Sequence, residues 1–296
     1  MVTVVRRTVK GIPYYYLEHT LRAGRKFTQR SKYLGKAIPK DIGRLEREFI
    51  LELKKEKWFG EFDSIKKNYA AETKTLPPSS KEKLLREFSV RFTYDTQRIE
   101  GSTLSLRQTS QLLEEGITPS GKPVADVKEA EAHQKVFLAM QDEKKDLSLQ
   151  LVLEWHWKVF KDTKPDIAGR IRRHGVRIIG SRYTPPSPVE LPPLLDDFFG
   201  WYGRSKRKVH PVELAALVHL RFVTIHPFGD GNGRISRLMM NFVLRRTGYP
   251  MFNIESKDRK AYYNALERTQ LTEDSQVFEQ WLFRRYKKEF AHYATT

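Results

Sequence analysis

The chain has 296 residues and a formal net charge of +18, from 54 Lys and Arg against 36 Asp and Glu. It contains no cysteine, which excludes disulfides, thiolate metal sites, iron–sulfur clusters and cysteine nucleophiles. With 39% hydrophobic residues, including 17 Phe, 13 Tyr and 5 Trp, it is rich enough to bury a core and too apolar for disorder.

No apolar run approaches the ~20 residues of a membrane span, so no membrane partner is expected. The opening stretch MVTVVRRTVKG has no apolar signal core or small-residue cleavage site. A reducing cytoplasm is the expected compartment.

The charge is uneven. Residues 1–40 hold ten Lys and Arg and one acid, Glu18. The same segment is aromatic and β-prone, and reads as two short strands around Ala23-Gly24. A basic sheet of this kind suits nucleic acid or an acidic partner. The plainer reading is a solvated β-appendage packed on the main domain.

From Asp41 to about Lys74, Ile42, Leu45, Phe49, Ile50 and Leu53 recur at helix spacing. Pro77-Pro78 breaks the pattern. Ser79 and Glu82 form a capping pair for a helix running to Glu100, where Gly101 stops it. A loop with Gly116, Pro119, Gly121 and Pro123 follows. Ala125–Glu143 and Ser148–Phe160 read as helices. Gly169 to Pro188 reads as a short hairpin or extended flap, with its β-run at Val176–Ile179. Helix returns at about Val189–Tyr202, Pro211–Ile225, Asn232–Thr247, Arg259–Gln270 and Ser275–His292. The expected division is a basic β-rich appendage over 1–40, a helical region over 41–125 and a core over 126–296. The fold class is mostly α: a helical bundle with one flap.

The most informative stretch is Thr224-Ile225-His226-Pro227-Phe228-Gly229-Asp230-Gly231-Asn232-Gly233-Arg234-Ile235-Ser236-Arg237. Proline ends the helix before it. Ile235, Leu238, Met239, Phe242 and Val243 give the helix after it a buried stripe. The loop 226–233 therefore feeds a helix N-terminus. Gly231 and Gly233 let backbone N–H groups turn toward one point, and the helix dipole adds positive potential there. That makes an anion site. Arg234 and Arg237 share a helix face and can grip phosphate oxygens. Asp230 is a natural Mg²⁺ ligand, since that ion takes few carboxylates plus substrate phosphates. His226 is the nearby group able to accept a proton near neutral pH.

This string resembles the motif of Fic proteins, His-x-Phe-x-Asp/Glu-Gly-Asn-Gly-Arg-x-x-Arg, at every fixed position. His210–Ala216, Gly169-Arg170 with the Val176–Pro188 run, and Tyr262–Leu266 resemble neighbouring parts of that family. The resemblance covers roughly residues 80–290. It implies a Fic-type bundle that transfers AMP from ATP to a Ser, Thr or Tyr hydroxyl of a target protein. It implies His226 as the base and Asp230 as the holder of Mg²⁺ across the α- and β-phosphates. The backbone of Gly231, Asn232 and Gly233 would cradle phosphate, with the Asn232 side chain assisting. Ile235 and Ser236 belong to the same nucleotide-binding stretch. Arg234 would bind distal phosphates and Arg237 the γ-phosphate. Ile179, Gly180, Ser181 and Arg182 would border the nucleotide and pair with target backbone. Tyr262 and Gln270 would stand near adenine.

A second motif precedes it. Thr96-Gln97-Arg98-Ile99-Glu100-Gly101 resembles the family's inhibitory Ser/Thr-x-x-x-Glu-Gly/Asn. Glu100 would then pair with Arg237 in the place of the γ-phosphate, in the manner of Fic proteins inhibited within one chain. The same residue admits AMP removal as a second activity. Two other functions stay open on the sequence. One is a nucleic-acid-binding regulator, acting through residues 1–40 with a nucleotide-sensing core. The other is a transferase using UTP, GTP or CDP-choline. A homodimer is compatible with the resemblance. A metal hydrolase finds only His226 and Asp230 as ligands.

Overall fold

The computed structural model describes residues 2–23 and 26–294. It separates into two compact units, residues 1–63 and 64–296. The division falls inside a helix and not at the change of composition near residue 40.

The first unit opens with three strands, β1 (Thr3–Val9), β2 (Ile12–Ala23) and β3 (Lys26–Gly35). They form an antiparallel sheet in the order β1-β2-β3. Thr3 pairs with Glu18, and Val9 with Ile12. Lys10 (φ 49°) and Gly11 (φ 78°) make a tight turn of the kind that suits strand twist. Sequence alone predicts two strands. The extra one is β1, whose side chains are nearly all exposed, so it carries no apolar alternation to read. Gly24, at the expected turn, lies outside the described residues. Leu17 of β2 is fully buried and clusters with Phe49 and Leu53 of α1 (Ile42–Lys54). Arg7 pairs with Glu18, Arg30 with Glu56 and Lys32 with Glu52. Arg7, Arg30 and Lys32 are thus matched inside the unit. One wide helical turn, Lys55–Phe59, leads into α2 (Gly60–Thr75).

The second unit is helical: α3 (Pro78–Ile99), α4 (Leu106–Glu115), α5 (Val124–Met140), α6 (Leu149–Phe160), α7 (Leu191–Ser205), α8 (Pro211–Ile225), α9 (Asn232–Arg246), α10 (Arg259–Thr272), α11 (Gln276–Glu289) and the short α12 (Ala291–Ala294). Helix α3 starts on Pro77 and Pro78 without a side-chain cap, so the Ser79–Glu82 pair does not cap it. Proline at the first helical position already has the right φ and no N–H to satisfy. Helix α4 lies where a loop is expected. It is capped by Ser105 with Gln108 and closed by left-handed Gly116. Its apolar face is short, with Thr109 and Leu112 buried.

Helices α8 and α9 form the centre, and α3, α6, α7 and α11 pack on one or the other. Leu214, Ala215, Val218 and Phe222 of α8 are buried, as are Leu238, Met239 and Phe242 of α9. Among the described residues no helix is long and apolar enough to cross a membrane.

The expected hairpin flap is not a hairpin. Residues 171–187 contain no strand. Pro185, Pro186 and Pro188 supply no N–H for a ladder. The segment is instead held by side chains.

Candidate active site

Helix α8 ends where Pro227 requires. His226 caps it in the left-handed region, at φ 51°, a conformation that costs about 1 kcal/mol or more for a residue with a Cβ. Its N–H donates to the Phe222 carbonyl at 3.1 Å. Its ring nitrogen Nδ1 lies 3.1 Å from the Val223 carbonyl. A carbonyl only accepts, so Nδ1 carries the hydrogen and Nε2 keeps its lone pair. Burial lowers the pKa of His226, the Val223 carbonyl works against that, and Arg172 adds to it. The ring is therefore neutral at pH 7 and suited to accept a proton.

The loop beyond is anchored from below. Phe228 is fully buried and stacks on His156 at 3.8 Å between ring centres. Truncating such a Phe costs about 3–5 kcal/mol. Asn232 clamps the loop: its side chain accepts from the Phe228 N–H and donates to the Phe228 carbonyl, both at 2.9 Å. The Asn232 amide thus faces the loop backbone, not a phosphate. Gly231 has φ 80°, and a Cβ there would collide with the Phe160 ring. His156 ties this floor together. Gly169 N–H donates to its Nδ1 at 2.9 Å, so Nε2 donates to the Asp230 carbonyl at 3.0 Å.

A charge cluster surrounds Asp230. Lys164 Nζ lies 2.6 Å from its Oδ2 and 2.9 Å from Glu129. Arg234 donates to Asp230 at 3.1 Å, to Gln97 at 3.0 Å and to Glu129. Its guanidinium lies over Phe160, 4.5 Å from the ring centre. Burial opposes ionisation of Asp230, but Arg234 and Lys164 outweigh it and bring its pKa to about 2. Asp230 is a carboxylate at any physiological pH. Arg234 is almost fully buried and committed to acids, so its charge positions Asp230 and Glu129.

Arg237 is only 1% exposed. Its Nε donates to Thr96 Oγ1 at 2.7 Å. One terminal nitrogen reaches Tyr262 Oη at 3.2 Å. The other reaches Glu100 Oε1 at 2.6 Å and the Thr96 carbonyl at 3.2 Å. Burial alone would weaken the charge, but Tyr262 and Glu100 face it and raise its pKa. Tyr262 is fully buried, and its hydroxyl lies 2.9 Å from His219 Nε2. Glu100 closes α3. Its carboxylate and the Arg237 guanidinium fill the space where a Gly233 Cβ would stand. Gly233 lies in the first turn of α9, the positive end of that helix. A carboxylate thus lies at the expected anion site.

The flap is fastened at two points. Arg172, 5% exposed, donates to the carbonyls of His226 (2.8 Å), His174 (3.0 Å) and Pro186 (2.6 Å). Its own N–H donates to the Pro227 carbonyl at 2.9 Å. At the tip, Glu267 of α10 accepts from the Arg182 N–H at 2.6 Å and from Ser181 Oγ at 3.4 Å. Gly180 is left-handed there, at φ 77°. Ile179 beside it is fully exposed. Gln270, one turn on from Glu267, donates to Thr224 Oγ1 at 3.2 Å.

The sequence profile of the Fic/DOC family matches residues 146–244. Residues 146–244 carry the sequence pattern of a Fic/DOC domain. Protein adenylyltransferase Fic of Aedes aegypti is 37% identical over 187 residues, 62% of this chain and 37% of that protein. Protein adenylyltransferase fic-1 of Caenorhabditis elegans is 35% identical over 190 residues, again 62% and 37%. The chain spans little more than a third of the length of these curated relatives. A Fic domain containing signaling protein from Bacteroides thetaiotaomicron superposes with a TM-score of 0.72 at 27% identity, over 79% of this chain and 95% of that one. Fic-1 from Caenorhabditis elegans gives 0.70 at 28% identity, over 88% and 78%.

The fold brings together most of the residues the motifs predict. His226, Asp230, Gly231, Gly233, Arg237 and Glu100 meet around the start of α9. Others are placed differently. Ile235 and Ser236 are fully buried, with Ser236 Oγ donating to the Asn232 carbonyl at 2.7 Å, so their side chains belong to the core. Tyr262 reaches the site only through Arg237. Sequence reading misses Lys164, Glu129, His156 and Arg172. Each is an isolated charged or polar residue in an ordinary helix or loop, with no spacing signal. Only Arg172 had a hint, as the second Arg of Gly169-Arg170-Ile171-Arg172.

Proposed function

We propose that this protein transfers AMP from ATP to a Ser, Thr or Tyr hydroxyl of a target protein, and that Glu100 restrains it. The observation that carries the reading is the position of Glu100. A carboxylate paired with Arg237 and lodged against Gly233 occupies the ground where the terminal phosphate of a nucleotide belongs. The Fic/DOC profile match and the relatives named adenylyltransferases support the donor and the reaction.

In the reaction, the target hydroxyl oxygen bonds to the α-phosphorus. The bond from that phosphorus to the β-phosphate bridging oxygen breaks, and pyrophosphate leaves. His226 Nε2 takes the hydroxyl proton. Its Nδ1–H donation to Val223 holds the ring and its tautomer. The first-turn N–H groups of α9 stabilise phosphate charge without reorganising. Arg237, freed from Glu100, orients the terminal phosphate.

Asp230 suits Mg²⁺. It is ionised, its side chain is 41% exposed, and one carboxylate plus substrate phosphates is that ion's usual donor set. Magnesium held there would supply charge neutralisation for the phosphates. Lys164 contacts the same carboxylate.

The test compares wild type, Glu100→Gly and Glu100→Gly/His226→Ala, each with Mg²⁺ and α-labelled ATP. Label on protein is expected to be much stronger in Glu100→Gly than in wild type, and absent from the double variant. Hydrogen bonds to charged groups contribute about 1.5–3 kcal/mol, so the gain is on the order of 10- to 100-fold. Equal label in wild type and Glu100→Gly would remove Glu100 from the mechanism. Label with UTP or GTP but not ATP would replace the donor.

A further inference from the structure

The flap sequence has a charge pattern that the catalytic roles do not use. From Ile167 to Val189 there are five arginines and no acid. Arg172 is spent inside, on carbonyls. Arg182 faces Glu267 at 3.7 Å. The remaining three, Arg170, Arg173 and Arg177, are exposed. None of them has a carboxylate partner among the described residues.

Two of these, Arg170 and Arg173, line a groove of about 760 Å³ together with His174, Ile167, Val189 and Gly229. Asp166 is its one acid. Apart from Asp166 the wall is apolar where it is not basic, and Val189 is 87% exposed. The floor is the catalytic loop itself. A Cβ on Gly229 would stand 3.3 Å from Ile167 and 3.9 Å from His174. Gly229 follows His226 by three residues, so groove and base are no more than roughly 10 Å apart along the chain.

We propose that this groove binds an acidic segment of the target protein, placing Asp or Glu within about three residues of the modified hydroxyl, at the ~3.3 Å per residue of an extended chain. The proposal rests on the transferase reading above and names its substrate class. Unpaired arginines give charge complementarity to carboxylates and raise the encounter rate. Isolated aliphatic contacts beside them suit peptide side chains. Nucleic acid would call for stacking aromatics along a basic track, and none of the groove's named residues is Phe, Tyr or Trp.

The test uses the full chain and has two independent readouts. The first is fluorescence anisotropy with three probes: a Ser-containing peptide with Glu at the third position on either side, the same peptide with Gln, and a single-stranded RNA of similar charge. The second is AMP transfer to the two peptides by the Glu100→Gly variant, with self-labelling as the internal control. Exposed pairs are individually weak, so Arg170→Glu/Arg173→Glu is the informative variant. The Glu peptide is expected to bind at least about fivefold more tightly than the Gln peptide, with the preference shrinking as salt rises. The double substitution should abolish that preference and leave self-labelling unchanged. Equal binding of the two peptides would overturn the proposal, as would a preference that survives the double substitution. RNA binding tighter than the Glu peptide and lost in the same variant would overturn it in favour of nucleic acid. Absence of self-labelling would defeat the transferase reading alone, because anisotropy still decides the groove.

Discussion

The Glu100 carboxylate lies against Gly233, in space that even one methyl group on Gly233 would need. The two residues come from different helices, and Arg237 bridges them from one turn further along α9. On the proposed reading the glycine serves two occupants in turn: the carboxylate in the restrained state, and phosphate beside its bare Cα in the active one.

Gly233→Ala tests that shared space. In wild type the new methyl must displace Glu100 and crowd Arg237, and the melting temperature should fall by several degrees. In a Glu100→Gly background the same methyl meets only Arg237. The two losses should combine to less than their sum, by about 1 kcal/mol. Chemical denaturation of the four chains gives the coupling. Activity should separate from stability, because the methyl stands where phosphate must sit. Glu100→Gly/Gly233→Ala should stay unlabelled by ATP.

Glu100→Gly should also change how ATP affects stability. Arg237 is left buried with Thr96 and Tyr262 but no counter-charge, a loss of up to about 3–5 kcal/mol. The triphosphate then restores an anion. The thermal shift on adding ATP and Mg²⁺ should be larger in this variant than in wild type, and equal shifts would count against the shared site.

His226→Ala should abolish transfer while leaving ATP affinity nearly intact. With its pKa lowered, the acid limb of kcat/KM should lie below pH 6.5, and the rate should be flat above about pH 7. A limb centred above 6.5 would argue for a different base.

Arg172 is a positioning residue for that base. It holds the His226 carbonyl, and its charge lowers the His226 pKa. Arg172→Met should lose about 100-fold in kcat, the scale of a slight misplacement, and should move the acid limb up. Arg172→Lys keeps the charge but not the forked donors. It should lose rate with the limb unmoved. A profile for Met identical to that for Lys would reduce Arg172 to a purely steric brace.

Three further histidines set the acid stability. His133, His156 and His219 are fully buried. Burial brings His133 to about 3 and His156 to about 4, and lowers His219 strongly. Below pH 6.5 the unfolded chain binds protons that the folded one refuses. Stability is then complete above 6.5 and falls as the pH drops toward 4, by about 1.4 kcal/mol per pH unit for each group. Denaturant midpoints at pH 7.5, 6 and 5 should fall in that order, and His156→Gln should flatten the trend.

Much of this was legible in the sequence. The apolar stripes of α8 and α9, their break at Pro227 and the residue types of the 226–237 string are local facts. A helix period or a proline acts within a few residues, so these survive without any knowledge of the fold. The Glu100–Arg237 pair was legible only because each end lies in a motif of its own.

Tertiary structure decided the rest. Arg234 and Arg237 sit on one face of one helix and read alike in sequence. Packing separates them, giving Arg234 to Glu129 and Asp230 and Arg237 to Thr96 and Glu100. Tyr262 reads as a ligand contact and is a buried prop. Lys164 and His156 carry no local signal and Arg172 little, because the contacts that tie them to the 226–230 loop span 54 to 74 residues. The flap reads as β from Val176–Ile179, but its prolines and the hold of Arg172 and Glu267 leave it unpaired. The sequence by itself determined most of the helices and which chemistry is present. Only close packing of side chains distant in the chain determined which charge meets which, since a buried charge must find its partner wherever the fold places one.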